Sequence, residues 1–440
     1  MFKPRFIFRF LFAFVLRFKT LLILGLCLGF FLSLIFLLRS SSFIKGTTQV
    51  IGVTGRFSVD SLPLEILSLS GRGLTKINAE GLVEPDLAES WESIDSGKTW
   101  QFTLKDDIFW QDGEVITADS LNYGFLNVPS ETPDAKTIIF KLENPFAPFP
   151  WIVSRPTFKS GLLGAGEWEV TDISLGGNFV QKLILANKNK DKKIFKFYPL
   201  EERSKLAYKL GEVDILTDLF DPKPFDSWET AEITTEVNFN RYVAIFLNTE
   251  EKKLSQKSLR QALAYGLDKG KIGEQRTIST ISPTSWAYNP QVKSYELDIQ
   301  RAKDLISELP EEIKNDLSVN LVTTPTLLSD AEKIVKEWEN IGVKTVLQVS
   351  SSTPSEFQAF LVALDIPTDP DQYTLWHSTQ VATNLSKYKN PRIDKLLEDG
   401  RVTLDLEERR KIYLDFQRFL VEDSPAIFLY HPISYTVKRK

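Results

Sequence analysis

The chain of 440 residues has very little of the residue types that most often bind metals or act in catalysis. It contains one cysteine, Cys27, and two histidines, His377 and His431. A single cysteine excludes an internal disulfide and a cysteine-rich zinc site. Neither histidine has a neighbour at the spacing of a metal site or a catalytic triad, so the histidines do not indicate catalysis. We therefore predict no metal, no cofactor and no enzymatic activity.

Sequence motifs of nucleotide binding and hydrolysis are also missing. Ser96–Thr99 reads SGKT, but Glu92 stands where a phosphate-binding loop requires glycine, so this segment is predicted to be a hairpin turn. The sequence has no GxGxxG that opens a helix, no GxSxG and no HExxH. Carboxylates are numerous enough for a two-carboxylate glycosidase, although no pair stands out. A hydrolase is therefore the least favoured class of function.

Acidic residues are absent from the first 45 positions, which carry seven basic residues. The other 395 residues carry 46 basic and 58 acidic side chains, a net charge of -12. A body of this charge lacks the basic excess that binding to phosphates requires, so nucleic acid is not a predicted partner. The sequence thus joins a basic N-terminal segment to an acidic soluble body.

The N-terminal segment contains nineteen consecutive uncharged residues, Thr20–Leu38. About 20 apolar residues cross a bilayer as a helix, and the five basic residues before them favour a cytoplasmic N-terminus. We therefore predict a single-pass anchor in the cell membrane with an extracytoplasmic body. A signal peptide cleaved near Ser40–Ser42 is the alternative. Lipid attachment at Cys27 is disfavoured, because Leu26 precedes it instead of a small residue.

The first half of the body shows the alternation of half-buried strands. Trp100, Phe102 and Leu104 alternate with polar residues, which predicts a strand. A helix is predicted to start at Thr117–Ser120, where a capping residue precedes polar side chains. A second strand is predicted at Thr137–Leu142.

The second half of the body predicts alternating helices and strands. Leucines four residues apart between Leu259 and Leu267 share one helical face. A strand at 317–323, a helix with a capping box that begins at Ser329, and a strand at 343–349 predict a right-handed parallel βαβ unit. A long final helix is predicted to begin near Asp405. No low-complexity linker separates domains. We therefore predict that the chain crosses between interwoven lobes instead of passing from one to the next through a linker.

Several segments, in this order, resemble the motifs of the family 5 extracellular solute-binding proteins, the dipeptide- and oligopeptide-binding components of ABC transporters. These segments are Gly81–Trp91, Lys98–Leu104, Trp110–Gly113, Thr117–Asp119, Leu210–Asp214, Leu247–Thr249, Leu259–Asp268, Asp369–Asp371, Tyr388–Pro391, Asp394–Leu397 and Glu422–Pro425. The resemblance extends from about residue 48 to the C-terminus.

The resemblance implies an α/β architecture, the type II periplasmic-binding-protein fold, in which two α/β lobes are joined by a hinge. The small extra subdomain of the family is expected to be reduced, because little sequence separates Tyr123 from Thr137. The implied organisation is a tail and anchor at 1–45, a first lobe at 46–238 with the reduced subdomain at about 73–155, a second lobe at 239–424, and a return to the first lobe at 425–440.

The implied function is capture of a peptide-like solute by closure of the lobes and its delivery to an ABC transporter permease. The chain would act as a monomer without carrying out chemistry. A membrane-anchored sensor or scaffold that keeps the binding fold without transport is the alternative. An N-terminal membrane span is compatible with both functions.

The resemblance also implies candidate ligand-binding residues. In peptide binders of this family, an aspartate three residues before the Asp-Pro step receives the peptide amine. Ile366 occupies that position here, and Asp365 lies one residue earlier. Asp365 and Asp369 are therefore the candidate carboxylates, and Trp376 and His377 are candidate residues lining the same cleft. Asp365→Asn is expected to weaken peptide binding by ~1–3 kcal/mol.

Overall fold

The computed structural model describes residues 46–440 and, before them, residues 17–20, 23–25, 28–31 and 33. Within this part of the chain the strands form sheets of seven, five, four and two strands. We call the part built on the seven-stranded sheet the first lobe and the part built on the five-stranded sheet the second lobe.

The first lobe is organised around its central strand, β1 (Thr48–Thr54). Its other strands are β8 Glu169–Gly176, β9 Phe179–Ala186, β10 Lys192–Tyr198, β11 Ile215–Leu219, β12 Ala231–Val237 and β18 Ile433–Arg439. Its helices are α1 Leu64–Ser70 and α3 Glu201–Lys209, with 3-10 turns at Val59–Ser61 and Phe225–Ser227. Strand β1 pairs in parallel with β10 on one side and β11 on the other. The sheet order is β12-β18-β11-β1-β10-β9-β8, and the outer strands are antiparallel.

Two small sheets and helix α2 (Phe149–Ile152) extend from the first lobe. The pair is β2 Thr75–Ile77 with β3 Val83–Pro85, and the four-stranded sheet has β4 Ala88–Ser93, β5 Thr99–Leu104, β7 Thr137–Lys141 and β6 Ser130–Glu131 in that order. The predicted strands are confirmed as β5 and β7, and the predicted hairpin turn at Ser96–Thr99 joins β4 to β5.

The helix predicted from Thr117 is wrong, because only a 3-10 turn forms at Ala118–Ser120. The Ser120 hydroxyl accepts a hydrogen bond from the Trp110 indole, at 3.2 Å, and Leu121 leaves the turn with extended backbone. The capping pattern at Thr117–Ser120 therefore starts only a single 3-10 turn, which packs on the four-stranded sheet.

The second lobe is a five-stranded sheet covered by helices. Its strands are β13 Arg241–Leu247, β14 Ser318–Thr323, β15 Lys344–Val349, β16 Ala359–Asp365 and β17 Ala426–Tyr430, in the sheet order β15-β14-β16-β13-β17. Its helices are α4 Lys257–Tyr265, α5 Lys269–Ile272, α6 Ile299–Ser307, α7 Glu311–Lys314, α8 Leu328–Asn340, α9 Tyr373–Trp376, α10 Pro391–Val402 and α11 Leu406–Asp423, with a 3-10 turn at Pro325–Leu327.

Most of the predicted elements of the second lobe are confirmed. Strands β14 and β15 are parallel and are joined by α8, as the predicted βαβ unit requires. The Asp405 carboxylate accepts the Glu408 amide, at 2.8 Å, and starts α11. The proposed capping box at Ser329 is wrong, because α8 begins at Leu328 after the preceding 3-10 turn and Ser329 lies inside the helix.

The chain crosses between the lobes at Asn238–Asn240 and at His431–Pro432. The amide of Asn238 donates to the Pro432 carbonyl, at 2.9 Å, which joins the two crossings. His431 Nδ1 donates to the carbonyl oxygen of Arg241, at 2.8 Å. Strand β17 pairs with β13 in the second lobe, and β18 pairs with β12 in the first. The return to the first lobe is therefore made by β18 and does not include all of the predicted range 425–440.

About half of the predicted membrane span, Thr20–Leu38, lies outside the described residues, and Cys27 and Ser40–Ser42 lie wholly outside them. Among the residues that are described, none of the helices has the length and apolar character needed to cross a bilayer.

Candidate ligand-binding cleft

A cavity of about 930 Å³ lies between the two lobes. Ligand pockets in proteins commonly measure about 300–1,000 Å³. The first lobe lines it with α1 and with strands of the seven-stranded sheet, and the second lobe lines it with two loops, Ser282–Ser285 and Pro367–Thr368. The end of β12 and the adjoining chain crossing (residues 236–240), together with residues 77–79 and Gly81 at the end of β2 and in the turn to β3, also line it. The cavity therefore has the position of a site that movement of the lobes would open and close.

The first lobe combines apolar and charged side chains in the cavity. The apolar surface includes Ile51, Val53 and Phe57 near the end of β1, and Ile66 and Phe195 beside them. The charged lining residues are Glu65, Lys193, Asp218 and Glu236. Three carboxylates against one ammonium give the cavity a net negative charge, which favours a ligand that carries a positive group.

Asp218 presents a free carboxylate to this cavity. It lies where the pairing of β11 with β18 shifts register, between Leu216 and Leu219, and its φ of 55° is in the left-handed region. Asp tolerates this conformation better than most residues. Within residues 46–440, the Asp218 side chain makes no hydrogen bond or ion pair. Its acceptor capacity is therefore free to receive a donor from a ligand.

The electrostatic surroundings of Asp218 disfavour its negative charge. Desolvation is the main cause of a raised pKa of the Asp218 carboxyl. The Arg241 guanidinium acts in the opposite direction, and the carboxylates of Glu65, Asp365 and Glu201 raise the pKa further. A cationic group on a ligand would offset both the desolvation and the nearby carboxylates, because an additional opposite charge favours the ionised form of Asp218.

The second lobe presents a different surface to the cavity. Its lining residues are uncharged, namely Ser282, Thr284, Ser285, Pro367 and Thr368. The hydroxyls of Ser282 and Thr284 lie 2.8 Å apart and form a hydrogen bond. Hydroxyls both donate and accept, so this surface can pair with main-chain groups of a ligand without selecting its charge.

Asp365, the first of the predicted site residues, ends β16 outside the cavity lining. Its carboxylate forms an ion pair with Arg241, at 2.6 Å, and its side chain is 76% exposed. The carboxylate is thus already paired, although it lies near enough to Asp218 to influence its pKa.

Asp369 is buried inside the second lobe and does not line the cavity. Its two oxygens accept from the Arg409 guanidinium at 2.7 and 2.6 Å, and Arg409 is itself buried. Burial raises the pKa of the Asp369 carboxyl, and the Arg409 charge acts in the opposite direction. The aspartate of the Asp-Pro step is therefore one partner of an ion pair inside the second lobe.

Trp376 and His377 are also buried in the second lobe. Trp376 stacks on Phe246, with ring centroids 5.6 Å apart, and belongs to the core under the five-stranded sheet. His377 stacks on Tyr373, at 4.0 Å, and its Nδ1 lies 2.8 Å from the Thr379 hydroxyl. None of the four predicted residues lines the cavity, and each contacts a different neighbour within the second lobe. Residues 46–440 also contain no group of side chains arranged to hold a metal ion.

Asp218 and the other charged residues of the cavity are not among the residues predicted from the sequence. Asp218 lies four residues after Leu210–Asp214, one of the segments that resemble the family's motifs, and this proximity is the only local signal for it. The exposed carboxylate depends on a register shift against β18, more than 200 residues away, which no local pattern reports.

Comparison with known sequences places the chain in a family. Residues 83–384 match the family described as "Bacterial extracellular solute-binding proteins, family 5 Middle". The match covers more than half of the chain, so the chain belongs to this family of solute-binding proteins. It is accordingly a binding protein and not an enzyme, and its body is extracytoplasmic.

Individual relatives are similar over most of their length. The probable D,D-dipeptide-binding periplasmic protein DdpA of Escherichia coli (strain K12) is 24% identical and covers 79% of each chain. The oligopeptide-binding protein AppA of Bacillus subtilis (strain 168) is 23% identical over 88% of this chain and 87% of its own. The solved structure of the ABC transporter substrate-binding protein CtaP from Listeria monocytogenes has a TM-score of 0.75 at 21% identity, and covers 90% and 94% of the two chains. The structural similarity establishes the shared fold.

Proposed function

We propose that this protein captures a short peptide with a free amino terminus in the cleft between its lobes and delivers it to an ABC transporter permease. Family membership and the peptide-binding names of the two relatives support a peptide-like solute. The single observation that carries the proposal is the unpaired Asp218 carboxylate in a net negative cavity of about 930 Å³. A peptide ammonium would meet this carboxylate through a charge-assisted hydrogen bond.

The two lobes would contribute differently to binding. The first lobe would hold the amine and pack apolar side chains of the ligand against Phe57 and Ile66. The second lobe would pair with the peptide backbone through the hydroxyls of Ser285 and Thr368. Lobe closure would then be a shift of population toward the state that makes both sets of contacts.

Membrane attachment through Thr20–Leu38 is the second part of the proposal. The length of this uncharged segment and the basic residues before it support a single-pass anchor that keeps the body near the permease. Extraction of cell membranes with alkaline carbonate tests it. An anchored chain stays in the pellet at its full mass, and a released chain of lower mass would contradict the anchor.

The ligand class is tested by thermal unfolding of the full-length chain with matched peptides. Ligands that bind only the native state stabilise it by RT ln(1 + [L]/Kd), so the melting temperature reports binding. We expect L-Ala-L-Ala and tetra-alanine to raise the melting temperature and their N-acetylated forms to raise it much less. Equal shifts for the free and acetylated peptides would contradict recognition of the amine.

Delivery to a permease is tested separately, by isolating the tagged full-length chain from membranes together with its bound proteins. A co-purifying ABC permease is expected. Its absence, together with undiminished peptide binding, would indicate a sensor or scaffold instead of a transport component.

A further inference from the structure

The lobes also touch at a place where the backbone does not cross between them. Residues near α2 of the first lobe lie against the loop that contains Trp286 and against helices α10 and α11 of the second lobe. The amide of Ala147 donates to the carbonyl of Arg401, at 2.6 Å, and the amide of Trp286 donates to the carbonyl of Glu80, at 3.2 Å. These are backbone hydrogen bonds between the lobes, outside any sheet.

Trp151 is the first-lobe side chain at the centre of this contact. Its indole nitrogen donates to the Gly81 carbonyl, at 2.9 Å, which orients the ring within its own lobe. The ring then faces the second lobe, 6.4 Å from the ring of Trp286 and 5.4 Å from the Arg409 guanidinium. Guanidinium groups within about 6 Å of an indole centroid are attracted to it.

The second-lobe side of the contact is held in place by interactions within its own lobe. Arg409 is 1% exposed and is fixed by the two-oxygen pair with Asp369 and by its Nε, which donates to the Gly400 carbonyl at 2.7 Å. Tyr413 lies 5.3 Å from the same guanidinium. A cation fixed in this way loses little freedom when an indole packs on it, so the lobes can meet without rearranging it.

We infer that Trp151, Trp286 and Arg409, with the two interlobe backbone bonds, form a latch that holds the lobes together and limits exchange of ligand. The chain crossings lie at 238–240 and 431–432, so a rotation about them separates the latch residues while the crossings stay intact. Asp369, predicted as a ligand residue, instead positions the Arg409 side of the latch. The inference rests on the proposed lobe closure but not on the ligand being a peptide.

Amide hydrogen exchange of the ligand-free, full-length chain reports the latch directly. The amides of Ala147 and Trp286 donate across the interface, so their exchange measures separation of the lobes. We expect Trp151→Ala to accelerate exchange at both amides by at least about tenfold and to leave the β5 amides unchanged. Trp151→Phe keeps an aromatic face and should preserve most of the protection.

Trp91→Ala is the matched control, because Trp91 stacks on Phe102 within the small sheet, at 6.3 Å. It should leave the Ala147 and Trp286 amides at their wild-type rates. The latch is contradicted if Trp151→Ala leaves both rates unchanged, or if it accelerates the β5 amides equally, which would indicate loss of the small sheet. Because no ligand is added, a failure here is distinct from a failure of peptide binding.

Discussion

The two lobes differ in the chemistry that they bring to the cleft. All four charged lining residues, Glu65, Lys193, Asp218 and Glu236, lie on elements of the first lobe, whereas the second lobe lines the cleft with hydroxyls and a proline. The second lobe does contain carboxylates near its cleft loops, but Asp365 is paired with Arg241 and Asp369 with Arg409. A carboxylate that is already paired stabilises the lobe, and an unpaired one is available to a ligand.

The largest expected effect tests whether the Asp369 carboxylate stabilises the folded second lobe. Asp369→Ala leaves the buried Arg409 charge unpaired, and such changes cost about 3–5 kcal/mol of unfolding free energy. Urea unfolding of the variant and the wild type measures this loss of unfolding free energy. Asp365→Asn is the control, because an exposed pair contributes about 0–1 kcal/mol. Similar losses in both variants would break the distinction between the two aspartates.

A smaller effect tests the first-lobe carboxylate. Asp218→Asn keeps the size and the left-handed backbone but removes the charge, so it should weaken L-Ala-L-Ala binding by about 1–3 kcal/mol and leave the acetylated peptide unaffected. Calorimetry of both peptides measures the difference. Asp365→Asn should retain wild-type affinity. A larger loss of affinity in Asp365→Asn than in Asp218→Asn would indicate that Asp365 binds the amine.

The pH dependence of binding sharpens the same assignment. Because desolvation raises the pKa of the Asp218 carboxyl, protonation removes its charge at a higher pH than for an ordinary aspartate, whose pKa is 3.8. Affinity for L-Ala-L-Ala should therefore fall on acidification through that raised pKa. The fall should be weaker in Asp218→Asn, and identical pH profiles for the two proteins would exclude a role for this titration.

The smallest expected effect concerns the second lobe. Ser285→Ala removes one neutral hydroxyl from the cleft and should weaken binding by about 0.5–1.5 kcal/mol. The loss should be the same for the free and the acetylated peptide, since a hydroxyl does not select the charge. A loss of affinity confined to the free peptide would show that the second lobe also recognises the amine.

Local signals in the sequence were sufficient for much of the fold. The Asp405 carboxylate caps its helix by accepting a hydrogen bond from an amide only three residues later. The alternation of apolar and polar residues around Trp100 corresponds to the buried and partly buried faces of one strand. The candidate site was less predictable, because its character depends on distant neighbours. Arg241 lies 124 residues before Asp365, and Arg409 lies 40 residues after Asp369. The resemblance identified the correct family, but it could not show which carboxylates were already paired.

The backbone at Asp218 also limits how the specificity of this protein can evolve. At a φ of 55°, glycine, asparagine and aspartate are tolerated, whereas a β-branched residue would be strained. Asparagine and glycine are each one nucleotide change from aspartate. Loss of the negative charge is therefore genetically and sterically accessible, so descendants of this cleft would lose recognition of a ligand amine through a single substitution at this position.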